Sequence, residues 1–398
     1  MSRCKLLSLR AAIVLPGAFA EGVLAVLLPW SIAQAAIGTS WLGFLSALLV
    51  AAAIVGTVLA SPVSQRIGSR RMTVYSANIS CLCIVCGTVM WMVDLKLIAF
   101  ALALCAMAFD GMADLGFAAR TPVMARLYKL SLVSFSGGNW LWGIVGLAMG
   151  SSLAGWLVSL SQVTALLIAL SANSLLVAIS LSRMMPRDGR GLQNQESHWK
   201  TAFSAKLWTP QMIALTTCMV WLSFVYGPMD NLLIPAQLTS QQREASVFGM
   251  LVTAGGLGLA VGLAFTQAKH AYSGTSKVHI LWFGVLAAIL QIALIWWAPD
   301  NWLLIVGTFI TAAVFSPFLP MTESTLLLAV KPPSRTLVLA VVGTLASGAD
   351  MLGTAAAGWA MHYAGVDRVL AGCALALSPL LVYLYSVRGS FNQRPHVA

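Results

Sequence analysis

Gly137 to Leu160 reads GGNWLWGIVGLAMGSSLAGWLVSL, 24 residues without one charged side chain. At about 1.5 Å per residue, such a helix crosses a hydrocarbon core of roughly 30 Å. Part of it recurs. Gly150-Ser-Ser-Leu-Ala-Gly155-Trp156 returns as Gly353-Thr-Ala-Ala-Ala-Gly358-Trp359, 203 residues further on in a chain of 398. One stretch therefore indicates both that the chain enters a membrane and that it is built twice.

The rest of the chain agrees. Hydrophobic residues make up 59% of it and charged ones 9%, against roughly a quarter charged in a soluble domain. Apolar segments fall near 11–35, 40–64, 72–92, 97–118, 137–160, 162–183, 208–236, 244–266, 278–297, 303–327, 336–360 and 367–386. The expected fold class is all-α membrane, with twelve transmembrane helices in two pseudo-symmetric six-helix bundles. Residues 1–183 form the first bundle, 184–206 a basic cytoplasmic linker and 207–398 the second.

A net charge of +11 in a soluble protein would suggest nucleic acid, but here the cations alternate between loops. Of 23 Lys and Arg residues, 20 fall on the side holding both termini, and Lys96, Arg243 and Arg368 fall opposite. Both termini are therefore expected in the cytoplasm, as in a multi-pass protein of a bacterial inner membrane. Trp30, Trp41, Trp91, Trp296, Trp297 and Trp302 lie near the outer boundary, where an aromatic belt belongs. A basic start, an apolar run and Ala33–Ala36 imitate a secretory signal, but Glu21 interrupts the run and cleavage would upset the loop-charge pattern. The partners expected are the bilayer and a small-molecule substrate, with no nucleic acid, for a monomeric chain. Cys81, Cys83 and Cys86, inside one apolar segment, read as small buried hydrophobes and not as metal ligands.

Six acids interrupt the apolar segments: Glu21, Asp110, Asp114, Asp230, Glu323 and Asp350. Placing a charge mid-membrane costs roughly 2.5 to 3.5 kcal/mol on insertion scales, so such residues mark function. No Lys, Arg or His lies deep in a span to neutralise them. A carboxyl in that setting favours its neutral, proton-carrying form. Glu21 lies eleven residues past Arg10, roughly 16 Å deep, with Pro16, Gly17 and Gly22 suggesting an irregular helix around it. Asp110 and Asp114 are four apart and share a helix face, so ionising both is unfavourable. For Asp114 an ordinary interfacial pair with Arg120 is the alternative, and Asp230 follows Pro228 near the outer end of its span. Phe109, Trp140, Trp142, Phe224 and Tyr226 are candidates to line a pocket for an apolar or cationic ligand. No phosphate-cradling Gly-Lys-Ser/Thr loop is present, which argues against ATP as driving force.

Two motifs carry a resemblance. After the second span, Ser61-Pro-Val-Ser-Gln65-Arg66-Ile-Gly68-Ser69-Arg70-Arg71 resembles the loop motif of the major facilitator superfamily, keeping Arg66, Gly68 and Arg70. Ser61 replaces its glycine and Gln65 its aspartate, which removes the carboxylate of the family's usual conformational latch. In the fifth span Gly137, Gly146, Gly150 and Gly155 match four of six positions of the antiporter pattern, with Ser151 and Ala154 at the other two. The arginine that drug-exporting members carry in the fourth span is absent, and Met107 takes its place. The resemblance covers essentially the whole chain and implies that spans 1, 4, 7 and 10 line a central cavity. Glu21, Asp110, Asp114, Asp230 and Glu323 stand on those spans, and Asp350 on span 11.

The function expected is a proton-coupled secondary transporter exporting a small organic molecule, such as a drug, siderophore or related metabolite, by alternating access. It uses no cofactor beyond the proton gradient. Import of a sugar or organic acid is the nearer alternative, although an organic acid would want a cation in the cavity. A remote one is an intramembrane aspartyl protease with Asp110 and Asp350 as its dyad, for which Ser347-Gly-Ala-Asp350 is only a loose match.

Overall fold

The computed structural model describes residues 3–34, 39–129, 132–160, 162–185, 208–268, 277–318, 321–322, 326 and 335–388. They form twelve helical rods. The first, α1, runs as Arg3–Leu9, a π-helical turn Arg10–Val14 and Leu15–Gln34. It is followed by α2 (Thr39–Ile67), α3 (Ser69–Met92), α4 (Lys96–Leu127), α5 (Leu132–Ser159) and α6 (Val163–Met184). The seventh, α7, comprises Pro210–Tyr226, a π turn Met229–Leu233 and Ile234–Ser240. Then come α8 (Ala245–Ala268), α9 (Lys277–Trp297), α10 (Asn301–Phe315), α11 (Arg335–Ala364) and α12 (Val366–Ser386). Nine described helices are long and apolar enough to cross a membrane, and Pro210–Tyr226 and Asn301–Phe315 are shorter apolar helices. The chain is an all-α, multi-pass membrane protein.

The backbone groups into two compact units, Met1–Leu28 with Leu48–Glu196, and Pro29–Ala47 with Ser197–Ala398. In the first, α3 packs on α4 and α6, and the π turn of α1 packs on α5 and α6. In the second, α9 packs on α10 and α12, and α7 packs on α11.

Glycines set the closest approaches, and they do so in the same way in both units. A side chain on Gly150 would strike the carbonyl of Phe19, and one on Gly22 the carbonyl of Leu147. The backbones of α1 and α5 therefore touch where only glycine fits. In the second unit a side chain on Gly353 would strike the Phe224 carbonyl, and one on Gly227 would strike Asp350. Phe19 and Gly22 precede Phe224 and Gly227 by 205 residues, and Leu147 and Gly150 precede Asp350 and Gly353 by 203. One helix-to-helix contact is thus present twice. A second pair repeats likewise: Gly56 of α2 meets Ala108 of α4, and Gly258 of α8 meets Phe309 of α10.

Several boundaries differ from expectation for local reasons. The motif segment after span 2 is not a loop: residues 61–67 continue α2, and Gly68 alone joins it to α3, at φ 85°. That backbone conformation suits glycine. The last turn of α4 continues through Arg120 and Arg126 to Leu127, which leaves Asp114 well inside the helix and not at its end. Helix α7 breaks at Gly227–Pro228, where proline cannot continue the hydrogen-bond ladder. Helix α10 is interrupted after Phe315, at Ser316–Pro317, and the described residues Phe318, Met321, Thr322 and Leu326 within the expected span are helical again. The irregularity of α1 sits before Glu21 and not around it: the π turn ends at Val14, and Pro16 lies in the first turn of the next segment, where its missing N–H costs nothing.

Candidate functional site

In the first unit, the acids expected on spans 1 and 4 come together. Glu21 of α1 acts electrostatically on Asp110 and Asp114 of α4, and these two act on one another. Asp110 is the fifteenth of 32 residues in α4, about 20 Å from either end of the rod. Glu21 and Asp114 are exposed and Asp110 half-buried. A charge on these helices would be costly against hydrocarbon.

The arginines of the first unit are directed elsewhere. Arg10 donates through Nε to Asn139 Oδ1 at 3.0 Å and through a terminal nitrogen to the Phe135 carbonyl at 3.2 Å. Its guanidinium stands 5.8 Å from the centre of the Phe135 ring, in space that a side chain on Gly138 would need. This clamps the π turn of α1 to the start of α5. Arg10 was legible in the sequence only as a loop cation; nothing in its spacing marks it as an anchor. Arg120, the partner in the alternative reading of Asp114, is buried and donates to Ser69 Oγ at 3.1 Å, which ties it to the start of α3. Arg70 of the loop motif donates to the carbonyls of Met185 and Ser182, at 3.1 and 3.3 Å. There it satisfies acceptors left over at the end of α6, with the charge sign that a helix C-terminus favours. Arg66 is exposed.

In the second unit Asp230 lies within the π turn of α7, exposed, and interacts electrostatically with Tyr226 one turn earlier and with Asp350. Asp350 of α11 is half-buried, packs against Gly227 and accepts a hydrogen bond from Thr354 Oγ1 at 3.2 Å. The ring of Tyr226 stacks on Phe315 (centroids 6.3 Å, 15° between planes), and Phe315 stacks on Phe318 (5.2 Å, 18°). Phe315 and Phe318 follow the expected span 10 to the bend at Pro317, and the sequence alone gave no reason to single them out. Nearby, buried Gln291 of α9 bonds to Thr308 and Thr311 of α10, a polar tie between two apolar helices. Glu323 lies outside the described residues.

The acids therefore fall into two groups, Glu21 with Asp110 and Asp114, and Asp230 with Asp350. Asp110 and Asp350, the dyad of the protease alternative, belong to different groups. Of the glycines in the antiporter-like pattern, Gly146 and Gly150 face α1 backbone, at Leu15 and Phe19. Among the described residues no three His, Cys, Asp or Glu side chains are arranged to hold a metal ion.

Solved structures similar to this chain are transporters. A mutant of the nucleoside transporter NupG superimposes with a TM-score of 0.70 at 16% identity, over 96% of this chain and 99% of that one. The chain has the major facilitator fold. The human organic anion transporter MFSD10 gives a TM-score of 0.64 at 14% identity, over 96% of this chain and all of the other. A bacterial homolog of the human lysosomal transporter Spinster, in an inward-facing and unoccupied conformation, gives 0.62 at 15%, over 98% and 97%. No family model matches the sequence, and no curated protein matches it. The major facilitator fold accounts for the duplicated six-helix plan.

Proposed function

We propose that the chain is a proton-coupled secondary transporter of the cytoplasmic membrane that exports a small organic molecule by alternating access. The observation that carries this reading is the group Glu21, Asp110 and Asp114 within apolar helices, while Arg10, Arg70 and Arg120 bond to other partners. Two carboxylates one helical turn apart, at about 6 Å and an effective dielectric of about 20, repel by about 3 kcal/mol. Binding one proton removes that cost. A group that holds and surrenders a proton beside a wet path can exchange it for cargo as the path opens to either side. The fold likeness to nucleoside and organic anion transporters supports transport of a small organic solute, and the glycine pattern of α5 supports export. With 20 of 23 cations on the side of both termini, those termini face the cytoplasm in this reading.

The test is Glu21→Gln in everted membrane vesicles carrying an imposed pH gradient and a pH-sensitive dye. Labelled tetraphenylphosphonium, uridine, citrate and the siderophore desferrioxamine serve as probes. The parent chain is expected to release protons when it accumulates a probe, and the variant to insert normally but release none. Probe-driven proton release that survives Glu21→Gln refutes the assignment, and accumulation in right-side-out vesicles instead would turn the reading to import.

A further inference from the structure

The repeat shows where the two units diverge. Because Phe19 and Gly22 match Phe224 and Gly227, position 21 of the first unit corresponds to position 226 of the second. The first unit has a carboxyl there, Glu21, in electrostatic contact with two further carboxyls. The second has a phenol, Tyr226, at the half-buried end of a ladder whose other end, Phe318, is fully buried. One turn beyond Tyr226, the π turn of α7 presents Asp230 to solvent. Such turns insert a residue into a helix and recur where a side chain must be re-aimed. Among the described residues Asp230 interacts with the charged Asp350, of its own sign, and Asp350 already accepts from Thr354.

We propose that Tyr226, Phe315 and Asp230 form the substrate-recognising half-site of the second unit, that it takes a monovalent organic cation with an apolar, aryl-bearing body, and that the proton is carried separately by the first unit. The chemistry selects that class. The face of a phenol or phenyl ring attracts cations, most strongly where water is excluded, and a carboxylate one turn away supplies the counter-charge. An anion would meet Asp230 and Asp350 together. A neutral polyol would leave Asp230 without a counter-ion and would find on the ring ladder a single hydroxyl, that of Tyr226, to bond to. Tyr226 is thus a specificity-determining position, and its counterpart Glu21 a coupling position.

This inference rests on the transport reading but is tested without transport, by equilibrium binding to the purified full chain in nanodiscs with no gradient. The probes are tetraphenylphosphonium and its isosteric anion tetraphenylborate, with uridine as a neutral comparison. Tetraphenylphosphonium is expected to bind saturably and the other two not. Asp230→Asn and Tyr226→Ala should each weaken that binding at least tenfold, Asp230→Glu and Tyr226→Phe should restore most of it, and Glu21→Gln, fixed in the proton-loaded charge state, should still bind the cation saturably, with an affinity shifted by the coupling. Gel-filtration profiles identify any variant that has not folded, and the conservative pair Asp230→Glu and Tyr226→Phe then decides. Equal binding of tetraphenylborate or uridine, unchanged binding in folded Asp230→Asn, or no saturable binding of the cation overturns the half-site. Loss of binding in Glu21→Gln overturns the separation of roles. Survival of proton release in Glu21→Gln vesicles fails the transport reading instead, so the two failures are told apart.

Discussion

Replacing Gly150 or Gly353 by alanine tests the contact on which the duplicated architecture rests. A Cβ on Gly353 would stand 2.8 Å from the Phe224 carbonyl carbon and 3.1 Å from its Cα, and one on Gly150 would stand 3.0 Å from the Phe19 carbonyl carbon and 3.1 Å from the Val23 nitrogen. Carbon atoms in good contact sit about 3.5–4.0 Å apart, so the helices must separate by roughly 0.5 to 1 Å. The obstacle is helix backbone, which cannot swing aside as a side chain can. Overpacking of this kind costs about 1–3 kcal/mol. Against it stands the gain of about 0.8–1.0 kcal/mol that alanine brings over glycine inside a helix. Gly17, Gly343 and Gly348 have nothing within 4 Å of a Cβ placed there, and are the internal controls. Alanine at those three should be neutral or stabilising, whereas Gly150→Ala and Gly353→Ala should each be less stable than the controls by about 1–3 kcal/mol. Thermal unfolding followed by fluorescence-detected gel filtration measures the difference, expected as several degrees in apparent Tm between the classes. The reasoning fails if Gly150→Ala and Gly353→Ala melt with Gly348→Ala, because α1 and α5, and likewise α7 and α11, would then not be held at glycine distance.

Arg10→Ala removes two hydrogen bonds and the cover over Phe135; with charged bonds worth about 1.5–3 kcal/mol each at most, it should lower apparent Tm by several degrees, and Arg10→Lys, which cannot span both acceptors, should recover only part. Gly68→Ala forces a side chain into a nearly glycine-only backbone conformation at φ 85°, ψ 145°, at a cost of about 1–3 kcal/mol, so its melting temperature should fall, while Arg71→Ala, at an exposed position nearby, changes less.

Much of this architecture is legible in the sequence, and the failures have physical causes. Apolar runs near the width of a bilayer mark the helices, since no other arrangement satisfies backbone groups in hydrocarbon. Ends are less legible, because composition does not say whether a polar turn continues the ladder: α4 runs on through Arg120 to Leu127, while α10 breaks at Ser316–Pro317. The six acids stand out as soon as the spans are drawn. That Glu21 meets Asp110 and Asp114 depends on helix packing, which spacing along one chain does not contain. The Gly150 and Gly353 repeat is visible as near-identical strings. Its counterpart on α1 and α7 is only Phe-x-x-Gly at 19 and 224, too short to stand out until the contacts are known. Phe315 and Phe318 are ordinary aromatics by composition, and only stacking at 5.2 Å, with Tyr226 at 6.3 Å, makes them a ladder.

The shift between matched positions is 205 residues for Phe19 and Gly22, 202 for Gly56 and 203 for Leu147 and Gly150. Those differences record lengthening and shortening of the connections since the halves separated. Within a helix no such drift is tolerated. One added residue turns everything beyond it by about 100°, and would swing Gly150 away from Phe19 while leaving Gly146 in place. An insertion scan of the chain should accordingly find the short turns permissive, and should find α1, α5, α7 and α11 closed to single insertions yet less hostile to additions that restore the helical phase.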